Sequence, residues 1–159
     1  MPNNPPSVAE LLAIGHPTTL GPGAPAAALR AKLTAATAEL LPACAAGLWL
    51  RFDFLDESHA ISQDTDTADG SFWHAILHRR EPDAPNSKYW FRQVGPHPVL
   101  KQLAEQAPSL GYDYTNPFDF VDFCERVRDT GTPDEELAKR VQSLEWRLLF
   151  DHCYQNAMS

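Results

Sequence analysis

The sequence predicts an all-α protein, a single-domain bundle of about six to eight helices. Apolar residues recur at helical spacing in most segments, and no segment shows the sustained alternation of apolar and polar residues that is typical of strands. The connections between the periodic segments are short and contain proline or glycine, which favours antiparallel neighbouring helices. A chain of 159 residues with 43% hydrophobic residues is long and apolar enough to build one folded core.

The first part of the chain is expected to differ from the rest. Residues 1–25 are rich in proline and are predicted to be loosely ordered. They contain one short helix, over residues 8–14, which Ser7 and Glu10 would start as a capping box. Residues 26–159 are then predicted to form a single helical domain.

Two longer helices are predicted at the start of this domain. Residues 26–41 are rich in alanine and leucine, which both favour helix. Pro42 interrupts the pattern, and the next helix is predicted over residues 43–63. A polar loop is expected to follow at residues 64–70. One helical stripe of the segment 43–63 is predicted to face the core, and it consists of Leu48, Phe52, Leu55 and His59.

Five further helices are predicted in the C-terminal part, each from a start or stop signal. Proline and glycine mark the ends, and a capping residue followed by proline marks several of the starts. Asn86 is predicted to cap the second of the five, and Thr132 and Glu135 are predicted to form the capping box of the last. The expected ranges are 71–81, 87–94, 98–106, 117–129 and 133–154.

The acidic composition excludes several classes of function. A net charge of −8 and a pI near 5.1 argue against general nucleic-acid binding and against attachment to an anionic membrane surface. No apolar run approaches the roughly 20 residues that span a bilayer, and the N-terminus lacks the basic and apolar regions of a signal peptide. We therefore expect a cytoplasmic protein with no nucleic-acid partner and no membrane partner, whereas the sequence gives no indication of its oligomeric state.

The three cysteines, Cys44, Cys124 and Cys153, are odd in number and widely spaced. This arrangement does not fit a disulfide framework or a zinc ribbon. Each of them lies among apolar residues, so buried and unreactive thiols are predicted.

The segment from Ser71 to Val99 carries the candidate functional site. His74, His78 and Glu81 lie at offsets of zero, four and seven residues, which places them on one face of a helix at ~100° per residue. Two imidazoles and a carboxylate on one face can bind a divalent metal ion, the one cofactor that the sequence indicates. His59, on the apolar stripe of the preceding helix, could supply a further ligand from across the interface.

The same residues have two metal-free interpretations. The histidines and Glu81 could hydrogen-bond one another and the backbone inside a helical core, because buried polar groups need partners. They could also line a polar pocket in which a histidine acts as a general base. The sequence leaves all three alternatives open.

Basic residues cluster around the histidines in an otherwise acidic chain. Between residues 71 and 105 there are five basic and three acidic residues, so this segment carries +2 and the rest of the chain −10. Guanidinium groups bind phosphate and carboxylate groups in a bidentate fashion. A small anionic ligand is therefore predicted to bind at Arg79, Arg80, Lys88 and Arg92. In the alternative interpretation, Arg79, Arg80 and Lys88 pair with acidic groups near them in sequence, which are Glu81, Asp83 and residues 64–69.

Three consecutive aromatic residues, Tyr89, Trp90 and Phe91, span most of the circumference of a helix. Some of them are expected in the core, and one can line a groove. An exposed apolar patch over these three residues would favour a protein-protein interaction module. His97, between two prolines, is predicted to cap the following helix or to be held near an anion site.

The middle third of the chain, from Leu48 to Leu100, contains a distinctive series of short motifs. They are Asp56-Glu57-Ser58-His59, Trp73-His74, His78-Arg79-Arg80-Glu81, Asp83, Asn86, Lys88-Tyr89-Trp90-Phe91 and His97-Pro98. In these motifs the chain resembles a family of uncharacterised bacterial proteins of similar size, with the pattern W-H-x-x-x-H-R-R-E-x-D-x-x-N-x-K-Y-W-F followed by H-P. The resemblance implies no substrate, cofactor or mechanism.

The leading functional hypothesis is a polar pocket of histidine and glutamate that binds a divalent metal or, with the adjacent basic residues, a small anionic ligand. If the protein is an enzyme, either a histidine would act as general base or a bound metal would activate water. No catalytic residue is assigned. The alternative hypothesis is a non-enzymatic interaction or structural module.

Overall fold

The computed structural model describes residues 5–158, whereas the first four residues and Ser159 lie outside the described part. No strand occurs between Pro5 and Met158, so the prediction of an all-α fold is confirmed, and nine α-helices take the place of the predicted six to eight. No helix in this range is long and apolar enough to cross a membrane. The helices are α1 (Pro6–Ile14), α2 (Arg30–Ala38), α3 (Pro42–Arg51), α4 (Leu55–Ser62), α5 (Ala68–Arg80), α6 (Ala84–Val94), α7 (Pro98–Gln106), α8 (Pro117–Val127) and α9 (Pro133–Met158).

Helix α5 is the central element, and it packs against α3, α4 and α6. All of residues 72–80 are buried, including two histidines and two arginines. The helix begins at Ala68, three residues before the predicted start, because the hydroxyl of Thr67 accepts a hydrogen bond from the N–H of Gly70 at 3.0 Å. Asp69, which was expected in a loop, therefore lies in the first turn of α5.

The single helix predicted over residues 43–63 is in fact two helices, α3 and α4. Between them the chain turns at Asp53, whose φ of 67° lies in the left-handed region that aspartate tolerates better than most residues. Its buried carboxylate accepts hydrogen bonds from Arg80 at 2.5 Å and from His16 at 2.8 Å. Periodicity could not reveal this break, because the groups that hold Asp53 are distant in sequence.

Most other helix ends follow the predicted signals. Helix α7 has the predicted range, and the His97 ring caps it by accepting a hydrogen bond from the N–H of Val99 at 3.1 Å. Asn116 caps α8 as expected. Helix α6 begins three residues earlier than predicted because Asp83, not Asn86, is its cap.

Helices α2 and α9 differ in part from the prediction. Helix α2 covers only Arg30–Ala38, because the start of the predicted range forms a 3-10 turn. At the start of α9 the Thr132 hydroxyl accepts a hydrogen bond from the N–H of Glu135, as expected. The Glu135 carboxylate, however, accepts hydrogen bonds from the N–H groups of Asp129 and Gly131.

The N-terminal segment, which was expected to be loosely ordered, packs onto the core over its described residues. Val8, Leu11 and Leu20 are at most 2% exposed and belong to the same hydrophobic cluster as the later helices. Helix α1 begins at Pro6, so Ser7 lies inside the helix and does not cap it. The three cysteines are buried and free, in agreement with the prediction.

Two buried serines hold the helices that carry the candidate site. The hydroxyl of Ser58 on α4 donates to the carbonyl of Ala46 on α3 at 2.8 Å. The hydroxyl of Ser87 on α6 donates to the carbonyl of Ala75 on α5 at 2.7 Å. These hydrogen bonds fix α4 and α6 on either side of the histidines.

A buried ion pair joins α5 to α9. Arg79 is completely buried, and its guanidinium donates to the two carboxylate oxygens of Glu145 at 2.7 and 3.0 Å and to Gln142 at 3.0 Å. The guanidinium also lies 4.7 Å from the ring centroid of Phe120. Because removal of one partner would leave an uncompensated charge in the core, this pair fixes the position of α9.

Candidate metal centre

Three histidines from two neighbouring helices meet beside α6. His59 is on α4, whereas His74 and His78 lie one turn apart on α5, and one ring nitrogen of each lies within 4.8 Å of the others. The ring of His59 meets the other two edge-on, at centroid distances of 4.9 and 5.6 Å, and the rings of His74 and His78 stack at 4.6 Å. We call this group the histidine triad.

His74 has the most enclosed position in the triad. It is 3% exposed, and its ring stacks on the indole of Trp90 at a centroid distance of 3.9 Å. Its Nδ1 is buried and has no hydrogen-bond partner among the described residues. A buried polar atom without a partner costs about 1–3 kcal/mol, and such atoms are rare in folded proteins. This unpartnered nitrogen is one position at which His74 could bind a metal ion.

His78 is held by polar groups on two helices. Its Nδ1 lies 3.1 Å from Oε1 of Glu81, so this nitrogen donates its proton to the carboxylate and the lone pair of Nε2 remains. The amide nitrogen of Asn86 lies 3.3 Å from Nε2, a long contact that an ion could displace. A ligand histidine that donates its other nitrogen to a carboxylate is typical of protein metal sites.

Burial keeps the two α5 imidazoles in the form that binds metal. It lowers the pKa of His74 to about 4, with smaller contributions from His78 and His59. The pKa of His78 is also lowered, first by burial and against the opposing effect of Glu81. Both rings are therefore neutral at neutral pH, and neutral imidazole is the form that coordinates metal.

The dimensions of the triad suit a small divalent ion after limited side-chain rotation. Tetrahedral zinc with Zn–N bonds of about 2.0–2.1 Å places its ligand nitrogens roughly 3.4 Å apart. The three nitrogens of the triad, within 4.8 Å of one another, must close by at most roughly 1.4 Å to reach that spacing. His59 is half-buried and is the member with the most freedom to rotate.

Glu81 does not take the position of a metal ligand that its spacing predicts. It lies on the same face of α5 as His74, but seven residues separate the two by about 10 Å along the helix axis. Its side chain is 42% exposed and contacts Nδ1 of His78. The structure thus groups His59 with the two α5 histidines and gives Glu81 a supporting position.

Arg79 and Arg80 do not join the histidines, in contrast to the predicted anion site. At ~100° per residue they point to other faces of α5 than His78 does. Arg79 is bound by its partners on α9, and Arg80 donates to Asp53 and to two backbone carbonyls. Both side chains are buried, so neither contributes to a basic surface beside the triad.

The remaining two predicted cations, Lys88 and Arg92, differ from each other. Lys88 pairs with Asp122 at 2.7 Å, whereas Arg92 is exposed and has no ion-pair partner in the range 5–158. The alternative prediction, that the cations form ion pairs with acidic side chains, agrees with the structure for all three cations it named. Its partners are wrong, since Arg79, Arg80 and Lys88 pair with residues distant in sequence, namely Glu145, Asp53 and Asp122.

The three consecutive aromatic residues have different environments. Phe91 is 2% exposed and belongs to the core, Trp90 is half-buried against His74, and Tyr89 is 47% exposed. Only one of the three is therefore a surface residue. The continuous apolar patch that would favour an interaction module is not formed by these residues.

A second cluster, which the sequence did not predict, lies at the N-terminal end of α5. Asp69 Oδ1 lies 2.7 Å from Nε2 of His97 and 3.4 Å from Nε2 of His152. Three potential ligand atoms here also lie within 4.8 Å of one another. We call this group the Asp69 cluster. The one sequence signal was the capping position of His97, which gives no indication of its partners.

The ring nitrogens of the Asp69 cluster are already engaged. Because Nδ1 of His97 accepts a hydrogen bond from the N–H of Val99, its proton is on Nε2, which donates it to Asp69. This hydrogen bond lowers the pKa of Asp69. Nε2 of His152 also lies 3.1 Å from the amide nitrogen of Asn156. A metal ion here would have to displace a proton and disrupt the cap of α7.

Comparison with known proteins does not assign a function. No family model, no curated protein and no solved structure matches the chain. The resemblance of residues 48–100 to a bacterial family stays a prediction.

Proposed function

We propose that this protein binds a divalent transition-metal ion through His59, His74 and His78, with Zn²⁺ as the reference ion. The observation that carries the proposal is the convergence of three imidazole nitrogens within 4.8 Å. The unpartnered Nδ1 of the buried His74 supports it, because a purely structural network would be expected to satisfy that atom. Imidazole ligands suit zinc, copper, iron and nickel.

The surroundings of the triad also support a metal site. Trp90 fixes the plane of the His74 ring, and Glu81 orients the His78 ring through Nδ1, so that only the long contact with Asn86 competes for Nε2. Groups that orient ligand histidines in this way typically change metal affinity by 10–100-fold. The triad thus has both its ligands and the residues that would hold two of them in place.

Three protein ligands leave at least one coordination position open. Structural zinc sites usually have four protein ligands, whereas zinc sites that bind water or a substrate usually have three. Two of the ligands are buried, and the half-buried His59 marks the side from which an ion would enter. We therefore favour an exchangeable site with a solvent-derived ligand over a closed structural one.

A metal ion is favoured over a small organic anion at this place. The anion hypothesis required four cations beside the histidines, and three of them are paired elsewhere, two in the core. Neutral imidazoles attract cations through their lone pairs and offer an anion no charge. The metal hypothesis needs only the three nitrogens that the fold brings together.

Metal content and calorimetry test the proposal. Purified protein is analysed for metals, stripped with a chelator and titrated with Zn²⁺ by isothermal titration calorimetry. We expect one ion per chain for the native protein and no binding for the double variant His74→Ala, His78→Ala. His152→Ala, which removes a half-buried histidine of the Asp69 cluster, is the matched control and should bind normally. Equal Zn²⁺ affinity in a folded double variant would refute the proposal.

A further inference from the structure

A cavity of about 230 Å³ lies on the other side of α5 from the histidine triad. Ile76 and Arg80 of α5 line it, and Ile76 is offset from His74 by roughly 200° around the helix. Its other walls come from α1, α3, α9 and the segment before α2. The volume corresponds to about eight water molecules at ~30 Å³ each, enough for a small organic molecule.

The lining of this cavity combines apolar walls with an excess of positive charge. The apolar part consists of Leu12, Leu50, Ile76 and the ring of Trp146. Three arginines line the cavity against a single carboxylate, that of Asp53, which is already held by Arg80 and His16. The chain as a whole has a net charge of −8, so a cavity lined by more arginines than carboxylates differs from the rest of the protein. The arginines are Arg51, Arg80 and Arg147.

Arg51 offers hydrogen-bond donors that the described part of the chain does not use. Its Nη1 donates to the carbonyl of His16 at 2.7 Å, and this is its one hydrogen bond in that part. Burial lowers the pKa of Arg51, and the nearby Arg80 lowers it further, although Asp53 opposes the shift. Because a guanidinium stays charged in proteins, this partly desolvated cation gains from an incoming negative charge.

Arg147 lies at the entrance of the cavity. It is exposed, and within residues 5–158 it makes no hydrogen bond or ion pair. With Thr18 and Ser143, Arg147 also lines a neighbouring open groove, to which Arg140 and the ion pair of Lys139 with Glu136 contribute. The approach to the cavity is therefore basic, which favours anionic ligands through long-range attraction.

From these observations we infer that the cavity binds a small monocarboxylate with an apolar body. The carboxylate is held by Arg51 and Arg147, and the body packs against Ile76 and Trp146. A single negative charge suits the site better than two, because the carboxylate of Asp53 lines the same cavity. This site is independent of the proposed metal site and gives the anionic ligand a different location from the one that the sequence predicted.

Titration with benzoate, followed by NMR of the full-length protein, tests the inference. Benzoate should bind with millimolar or better affinity and shift the indole signal of Trp146, assigned with the variant Trp146→Phe. The neutral amide benzamide, which has nearly the same shape, should bind at least about tenfold more weakly, because it lacks the charge that the arginines recognise. Equal affinities for the two compounds, or no shift at Trp146, would overturn the inference.

Matched arginine variants show whether the carboxylate is at the proposed place. Arg147→Gln should weaken benzoate binding by about tenfold, one charge-assisted contact. Arg126→Gln removes the same charge from an exposed position on α8 that lines neither the cavity nor the groove, and should leave the affinity within about twofold. Equal losses would mean nonspecific attraction and would overturn the assignment. Both variants should bind Zn²⁺ as the native protein does.

Discussion

The histidine triad and the Asp69 cluster are alike in size and opposite in chemistry. Each places three potential ligand atoms within 4.8 Å, and each uses α5 together with histidines from elsewhere. In the Asp69 cluster, His97 gives its proton to Asp69 and its other nitrogen caps α7. In the triad, Nδ1 of His74 has no partner in the described part of the chain. The comparison favours the triad as the candidate metal site, because a nitrogen without a partner is available to an ion and a nitrogen that is already hydrogen-bonded is not.

The two clusters also differ in what they do for the fold. The Asp69 cluster ties the N-terminal end of α5 to the start of α7 through a hydrogen bond of 2.7 Å and to α9 through a longer contact of 3.4 Å with His152. The triad is held mainly by ring contacts and by Glu81. We therefore expect substitutions in the Asp69 cluster to change stability, and substitutions in the triad to change metal affinity.

The largest expected effect is the loss of Zn²⁺ affinity when two ligands of the triad are removed. His74→Ala, His78→Ala should raise the Kd by on the order of a thousandfold or more, because most of the coordination energy is lost. The measurement is a competition titration against a chromophoric chelator. His97→Ala, His152→Ala should leave the Kd within a fewfold. A larger increase in Kd for His97→Ala, His152→Ala than for His74→Ala, His78→Ala would contradict the assignment of the metal site to the triad.

The next largest effect concerns stability in the absence of metal. His97→Ala should lower the free energy of unfolding by about 2–3 kcal/mol, because it removes a helix cap and leaves Asp69 without its main partner. His78→Ala should cost about 1 kcal/mol, since its contacts are longer and one partner is exposed. Urea denaturation in the presence of a chelator gives both values. A larger cost for His78→Ala would contradict the structural assignment.

A smaller effect is expected from the group that orients the triad. Glu81→Gln should weaken Zn²⁺ binding by about tenfold, because the amide is a poorer acceptor for the proton on Nδ1 of His78. The free energy of unfolding of this variant should change by less than about 0.5 kcal/mol, because the Glu81 side chain is partly exposed. Asp69→Asn is the matched control and should not alter Zn²⁺ affinity. No change in affinity for Glu81→Gln would exclude an orienting role.

The last comparison concerns pH and distinguishes His74 from Asp69. The pKa of His74 falls from 6.5 to about 4 on folding, so the metal-free unfolded state binds more protons between these values. Stability should therefore decrease as the pH falls from 6.5 to 4, by at most about 1.4 kcal/mol per pH unit. His74→Phe should flatten this part of the curve. The pKa of Asp69 is lowered, so its contribution is present above the ordinary aspartate pKa and is lost at lower pH.

Local features of the fold could be predicted from the sequence because their causes are local. The range of α7 and its cap at His97 follow from a capping residue next to Pro98, and Asn116 with Pro117 starts α8 in the same way. The break at Asp53 could not be predicted, since it depends on Arg80 and His16. This break accounts for the ninth helix, because eight helical segments were predicted and only the segment 43–63 is divided in two.

The candidate site could be predicted in part for the same reason. The spacing of His74 and His78 follows from helix geometry, and so does the turn that brings Glu81 against His78. The grouping with His59 depends on how α4 packs against α5, which the sequence suggested only through an apolar stripe. The partners of Arg79 and Lys88 lie on α9 and α8, so local spacing gave the wrong acidic residues.

The most direct test is the location of a bound ion in crystals grown with Zn²⁺. Anomalous difference maps recorded on both sides of the zinc absorption edge locate zinc without reference to other density. We predict a peak about 2.0–2.1 Å from one nitrogen each of His59, His74 and His78. A peak at Asp69, His97 and His152 with none at the triad would contradict the account.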